Sequence, residues 1–205
     1  GGAEAYPVVT RHPDGTVSTD SVDALPGGKF PTDLALADDG RLWVGAIDSG
    51  YWPIAIGESL IAYSDGEGWT ADRWLGPDVS VAAGGFARAP DGALWATISV
   101  LPDEGEWATH LARLDGRGWS LVETEDLTVP YWMGPVIGPD GVFWFPGEDV
   151  APDGTGGVVA YDGVTAERWL ASETITSLGV GPDGTALVAT LPGFDEEGQL
   201  FAIRR

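Results

Sequence analysis

The sequence predicts an all-β fold, a β-propeller of about four four-stranded blades, on three observations. An Asp-Gly turn followed by an apolar run occurs four times: ALADDGRLWVGAI, ARAPDGALWATIS, VIGPDGVFWFPGE and GVGPDGTALVATL. The turn glycines Gly40, Gly92, Gly141 and Gly184 are 52, 49 and 43 residues apart, which is the period of propeller repeats. Three residues beyond the first three glycines stand Trp43, Trp95 and Trp144, with Leu187 at the same place in the fourth repeat.

Each repeat resolves into four strands in order. The first strand leads into the Asp-Gly turn and the second leaves it. A second series of turns, at Asp65-Gly66, Asp115-Gly116 and Asp162-Gly163, joins the third strand to the fourth, and Asp14-Gly15 is an earlier member of that series. Glycine supplies the positive φ such hairpins need, and the aspartate side chain bonds to nearby backbone. The first repeat predicts strands at 33–37, 41–47, 59–63 and 69–74. The second predicts 85–89, 93–99, 110–114 and 119–123, and the third 133–137, 142–145, 157–161 and 166–170. The fourth has only 176–180, 185–191 and 199–204. Second strands such as Leu42-Trp43-Val44 are apolar on both faces, the mark of a sheet packed between two neighbours. The repeated tryptophans therefore read as packing between blades.

The whole chain, 1–205, reads as a single propeller domain with repeats at about 31–75, 82–124, 132–171 and 174–205, preceded by a hairpin at 5–22. That hairpin reads as a third and fourth strand without a first and second. Its second strand, 16–22, would complete the last blade and close the ring; the alternatives are a larger ring made of further blades, or of a second copy. The chain begins at Gly1 and its one methionine is Met133, so the expectation is a processed, excised or tagged product.

Composition limits the partners. Net charge is −22, from 32 acidic and 10 basic residues. A basic surface for nucleic acid is lacking, and an anionic membrane is disfavoured. No run is apolar enough for a membrane span. Basic peptides, divalent cations and sugars fit this charge, as does solubility alone. There is no cysteine, which excludes disulfides, thiolate metal sites and a cysteine nucleophile.

The segments Ala89-Pro-Asp-Gly-Ala-Leu-Trp95, Gly138-Pro-Asp-Gly-Val-Phe-Trp144 and Tyr63-Ser-Asp-Gly-Glu-Gly-Trp69 resemble two propeller families. One is the two-component-regulator propeller repeat of bacterial extracellular sensor domains; the other is the streptogramin (virginiamycin B) lyase type. The resemblance covers most of the chain. It implies a propeller, an extracellular or periplasmic location and, on the lyase side, histidine and glutamate acting with magnesium. His12 and His110 are the only histidines, and neither falls on the lyase motif. Propellers of the gluconolactonase type hold a divalent metal through asparagine and acids, and this chain has no asparagine.

Propeller topology places the Asp-Gly hairpins at one end and the irregular connections at the other. Those connections combine Asp48, Tyr51, Trp52, Trp107, Tyr131, Trp132 and Glu148. Aromatic rings stack on sugar faces and on cations, and carboxylates bind hydroxyls and ammonium groups. The expectation is a recognition face for a carbohydrate or a cationic group, with Trp52, Trp107 and Trp132 as platforms and Asp48 and Glu148 as polar partners. Asp149-Val-Ala-Pro-Asp153-Gly-Thr155 has oxygen ligands and a glycine, an incomplete likeness to a calcium loop; a calcium or magnesium ion is the cofactor weighed. A binding or sensor module is favoured over an enzyme. The alternative is a metal-assisted lyase or hydrolase acting with acids at the same end.

Overall fold

The structure, a computed structural model, describes residues 7–11, 14–21, 30–47, 60–64, 68–75, 79–102, 108–116, 118–124, 127, 134–146, 156–171, 173–191 and 198–205. Every regular element among them is a β-strand, and no helix is long and apolar enough to cross a membrane. Strands β1 (Pro7–Arg11) and β2 (Val17–Ser21) form a hairpin. Blade 1 comprises β3 (Phe30–Leu36), β4 (Leu42–Ile47), β5 (Leu60–Ser64) and β6 (Trp69–Asp72). Blade 2 comprises β7 (Val79–Arg88), β8 (Leu94–Pro102), β9 (Ala108–Asp115) and β10 (Gly118–Val122). Blade 3 comprises β11 (Val136–Ile137), β12 (Phe143–Pro146), β13 (Val158–Tyr161) and β14 (Ala166–Trp169). Blade 4 has β15 (Ile175–Val180), β16 (Ala186–Thr190) and β17 (Gln199–Ile203). All ladders are antiparallel meanders, and the four sheets form a four-bladed β-propeller.

Of the options open for the N-terminal strand, the structure shows it paired within its own hairpin. Strand β2 pairs with β1, and β17 pairs with β16; the hairpin and blade 4 are separate sheets.

The turns are built as their residues require. In the first hairpins, Gly40, Gly92, Gly141 and Gly184 take φ of 86°, 87°, 82° and 79°. Their N–H groups donate to Ala37, Ala89, Gly138 and Gly181 carbonyls at 2.9–3.0 Å. Such a three-residue loop needs a left-handed last residue, which glycine adopts without strain. The preceding aspartate accepts the N–H two residues on: Asp39 from Arg41, Asp91 from Ala93, Asp140 from Val142 and Asp183 from Thr185.

Side-chain alternation along the second strand then sets how blades stack. Trp43 packs with Leu94, Ala96 and Ala112 of blade 2. Trp95 meets the Phe143 ring of blade 3 edge-on, with centroids 4.7 Å apart. Trp144 packs with Ile175, Ala186 and Val188 of blade 4. Each second-strand tryptophan thus enters the blade that follows it. The small residues Ala96 and Ala112 leave a hollow on blade 2 in which Phe86 and Trp119 approach each other to 5.8 Å. Trp43 meets Trp119 there at 84° and 5.4 Å, an edge-to-face geometry that aromatic quadrupoles favour.

The innermost strands are irregular at one repeat position. Register breaks fall between Pro31 and Asp33, Ala83 and Gly85, and Ile175 and Ser177. A bulge bends its strand and increases the local twist. Asp33, just past the first break, accepts the Phe86 N–H of blade 2 at 2.7 Å, and Thr32 donates to the Ala83 carbonyl at 3.2 Å. These bonds tie blade 1 to blade 2 through the inner strands.

Candidate functional site

The strand ends sort the molecule into two ends. Leu36 faces Leu42 across the first hairpin of blade 1, and Ser64 faces Trp69 across its second. At the opposite end Ala46 faces Leu60, and this pattern repeats with Val100 and Ala108, Pro146 and Val158, and Thr190 and Gln199. All second-to-third connections therefore start and finish at one end, as do the blade-to-blade crossings. The Asp-Gly turns occupy the other.

Asp48, Tyr51, Trp52, Trp107, Tyr131, Trp132, Glu148, Asp149 and Asp153 all lie outside the described residues. What is described is their rooting. Asp48 follows Ile47 at the end of β4, and Trp107 precedes Ala108 at the start of β9. Among the described residues no group of three or more histidine or acidic side chains could hold a metal ion.

The turn end carries an open cleft of about 360 Å³ between blades 1 and 2, lined by residues that include Asp38, Asp39, Asp91, Leu94, Arg113 and Asp115. Sequence reasoning treated these aspartates as turn formers and did not see the cleft. One signal was present: Asp38 occupies the position that is Pro90, Pro139 and Pro182 in the other three turns. Its carboxylate reaches across the blade boundary to the Arg88 guanidinium, which also donates to the Leu36 and Gly92 carbonyls. The approach is close enough that a Cβ on Gly92 would stand 2.6 Å from Asp38 Oδ2.

The cleft acids already have cations. Besides the Asp38–Arg88 pair, Arg41 Nε donates to Asp39 Oδ2 at 2.6 Å and Arg113 donates to Asp91 at 3.2 Å. Arg41 also lies 5.1 Å from the Tyr63 ring centroid, and Arg113 lies 5.7 Å from that of Trp95. In blade 4 Arg204 pairs with Asp183, and Arg205 with both Asp162 and Glu167. Exposed pairs like these contribute little to stability, so their main effect is on charge distribution. Arg41, Arg88, Arg113, Arg204 and Arg205 are thus engaged by turn aspartates. The second-to-third connections at the other end, 48–59, 103–107, 147–155 and 192–197, hold acids and no lysine or arginine, whereas the crossings 22–29 and 73–78 at that end carry Lys29 and Arg73.

Hydrogen bonding lowers the pKa of several turn carboxylates. For Asp162 the backbone N–H groups of Thr165 and Val164 dominate, helped by Arg205, and hold it well below the usual range. Backbone N–H donation from Thr185 lowers the pKa of Asp183, and the Arg41 side chain lowers that of Asp39. A depressed folded-state pKa contributes stability above the unfolded value, near 3.9, that is lost as pH falls through the folded value. Asp72 works in the opposite sense: burial raises its pKa, so its contribution is lost as pH rises through that raised value. Thermal melts should therefore show an acid limb below about pH 4, and Asp162→Asn should make that limb shallower. An acid limb equally steep in the variant would show that this carboxylate takes no part.

No protein-family model matches the chain, and no curated protein matches it. Solved structures do. A Dyadobacter fermentans protein of unknown function aligns at TM-score 0.52 and 14% identity, over 90% of this chain and 63% of that one. A virginiamycin B lyase from Staphylococcus aureus aligns at TM-score 0.37 and 12% identity, over 85% and 70%. A Hadza microbial sialidase aligns at TM-score 0.48 and 17% identity, over 82% and 41%. At these identities the likeness is one of fold. The chain spans 63% of the length of the Dyadobacter protein.

Proposed function

We propose that the protein is a non-enzymatic ligand-binding or sensor propeller whose loop end recognises a cationic or carbohydrate group. The observation that supports this reading is the acidic and aromatic content of the second-to-third connections. Arg41, Arg88, Arg113, Arg204 and Arg205 bond to aspartates at the turn end, so the cleft there has little net charge left for a ligand. The second-to-third connections carry Asp48, Glu148 and further acids beside Tyr51, Trp52 and Trp107 without a basic residue among them, and the crossings at the same end add Tyr131, Trp132, Lys29 and Arg73. Carboxylates with aromatic faces suit ammonium groups and sugar rings. Rigid strands carrying variable loops are a common basis for recognition sites. An extracellular or periplasmic location belongs to the same reading.

Tryptophan fluorescence tests it. Titration with a panel of quaternary ammonium compounds, lysine-rich peptides and neutral glycans should give a saturable change with one class and no turnover. Trp52→Phe or Trp132→Phe should weaken the response at least tenfold. A flat response across the panel would remove the proposal. Chelator-sensitive turnover of a panel member would replace it with the lyase or hydrolase reading.

A further inference from the structure

We infer that Leu170 is a positioning residue for the loop end. Its left-handed backbone holds the crossing from blade 3 to blade 4 against the return of the 147–155 connection, which carries Glu148. The inference rests on the reading of that end as the recognition face. Leu170 has φ of 53° and is the one non-glycine residue with positive φ among the described residues. A bulky side chain in that region is strained, and such strain persists only where the surrounding structure enforces it. It gathers at ligand clamps and other working sites.

The repeat supplies an internal control. Trp169 pairs with Val158 in blade 3 as Asp72 pairs with Ile61 in blade 1 and Val122 with Leu111 in blade 2. Leu170 therefore corresponds to Arg73 and Glu123, and neither of these has positive φ. On the facing strand Gly157 corresponds to Leu60 and His110, and Gly156 to Ser59 and Thr109. The exceptional backbone and the exceptional glycines thus fall at the same crossing, and they touch. A Cβ on Gly157 would stand 2.7 Å from the Trp169 carbonyl oxygen and 2.9 Å from that of Leu170. One on Gly156 would overlap the Glu173 carbonyl oxygen. The Glu173 N–H closes the turn by donating to the Leu170 carbonyl at 2.9 Å. The Leu191 N–H, just before the 192–197 connection, donates to the Thr174 carbonyl at 2.9 Å. One crossing thereby holds the return of one acidic connection and the departure of the next.

Two substitutions separate backbone from packing. Leu170→Val stays apolar, but a β-branched residue resists the left-handed region. Leu170→Asn accepts that region and gives up the apolar contact with the cluster around Trp144 and Ile175. Amide hydrogen exchange of the full chain reads the crossing. The Glu173 and Leu191 N–H groups should exchange at least tenfold faster in Leu170→Val and within twofold of wild type in Leu170→Asn. Tryptophan fluorescence titrations with tetramethylammonium and with maltose read the loop end. Affinity for the probe that binds should fall at least fivefold in Leu170→Val and hold within twofold in Leu170→Asn. Greater damage in Leu170→Asn, by either readout, would show a packing role and overturn the inference. So would faster exchange in Leu170→Val with unchanged affinity. A wild type that answers neither probe counts against the recognition reading alone. The exchange order then decides: the expected order keeps Leu170 as the residue that fixes the connection, and the reverse removes it. If Leu170→Val does not fold, wild-type exchange in Leu170→Asn supports the inference and faster exchange overturns it.

Discussion

Trp144→Ala is expected to cost about 3–5 kcal/mol of folding free energy, measured by urea denaturation at constant m-value. The side chain has no exposed surface. It sits between blades 3 and 4, stacked on Trp169 at 5.5 Å and enclosed by Ile175, Ala186 and Val188. Burying an aromatic of this size is worth roughly 4–6 kcal/mol at 25 cal/mol per Å², and the vacated volume adds a cavity term. A control separates packing from polarity. The Trp144 indole N–H is buried with no hydrogen-bond partner among the described residues, so Trp144→Phe removes an unsatisfied donor along with the lost area. Its cost should be smaller, roughly 1–2 kcal/mol. A cost for Trp144→Phe well above about 2 kcal/mol would mean that the indole N–H does have a partner.

Gly85→Ala is expected to destabilise by about 3 kcal/mol, at the upper end of overpacking effects. Gly85 lies on β7, the innermost strand of blade 2, immediately after its bulge. A Cβ there would stand 2.7 Å from the Gly134 Cα, which belongs to the start of blade 3. The obstacle is backbone, so no rotamer change relieves it. Gly134 is the reciprocal case, with its added Cβ 2.7 Å from the Gly85 carbonyl carbon. The inner strands of two blades can approach this closely only because both positions lack side chains. Gly40→Ala provides the contrast: the site is open, and only its φ of 86° opposes a side chain, which costs about 1–2 kcal/mol. If Gly85→Ala cost less than Gly40→Ala, the close approach of blades 2 and 3 would be wrong.

Much of the propeller could be read from the chain because its turns are chemically explicit. Asp-Gly pairs fix hairpins locally, so predicted strands such as 142–145 and 166–170 fall within a residue of β12 and β14. The repeated tryptophans, read as blade packing, are buried or half-buried. Their direction was not legible. A second strand apolar on both faces does not say which neighbour Trp43 enters; that depends on alternation combined with the order of blades. The inner-strand bulges were also hidden, since the bulge position is threonine in two blades (Thr32, Thr176) and glycine in another (Gly84), residues common throughout the chain. The Asp38–Arg88 clamp joins residues 50 apart in the chain, and spacing alone cannot pair them. The pairing of the N-terminal hairpin was left open for a related reason: strand patterns specify a face and a turn, not which edge a strand will join. The loop residues proposed for binding sit in segments with little repeat character, so the sequence places them by topology and leaves their mutual geometry open.

The most direct test of a functional loop end and a structural turn end is calorimetric titration of matched charge variants with the cationic ligand that perturbs tryptophan fluorescence most. The account predicts that Asp48→Asn and Glu148→Gln each reduce affinity at least tenfold, while Asp91→Asn at the turn end leaves it within twofold. Undiminished binding in both loop-end variants, or loss of binding in Asp91→Asn with the fold intact, would contradict it.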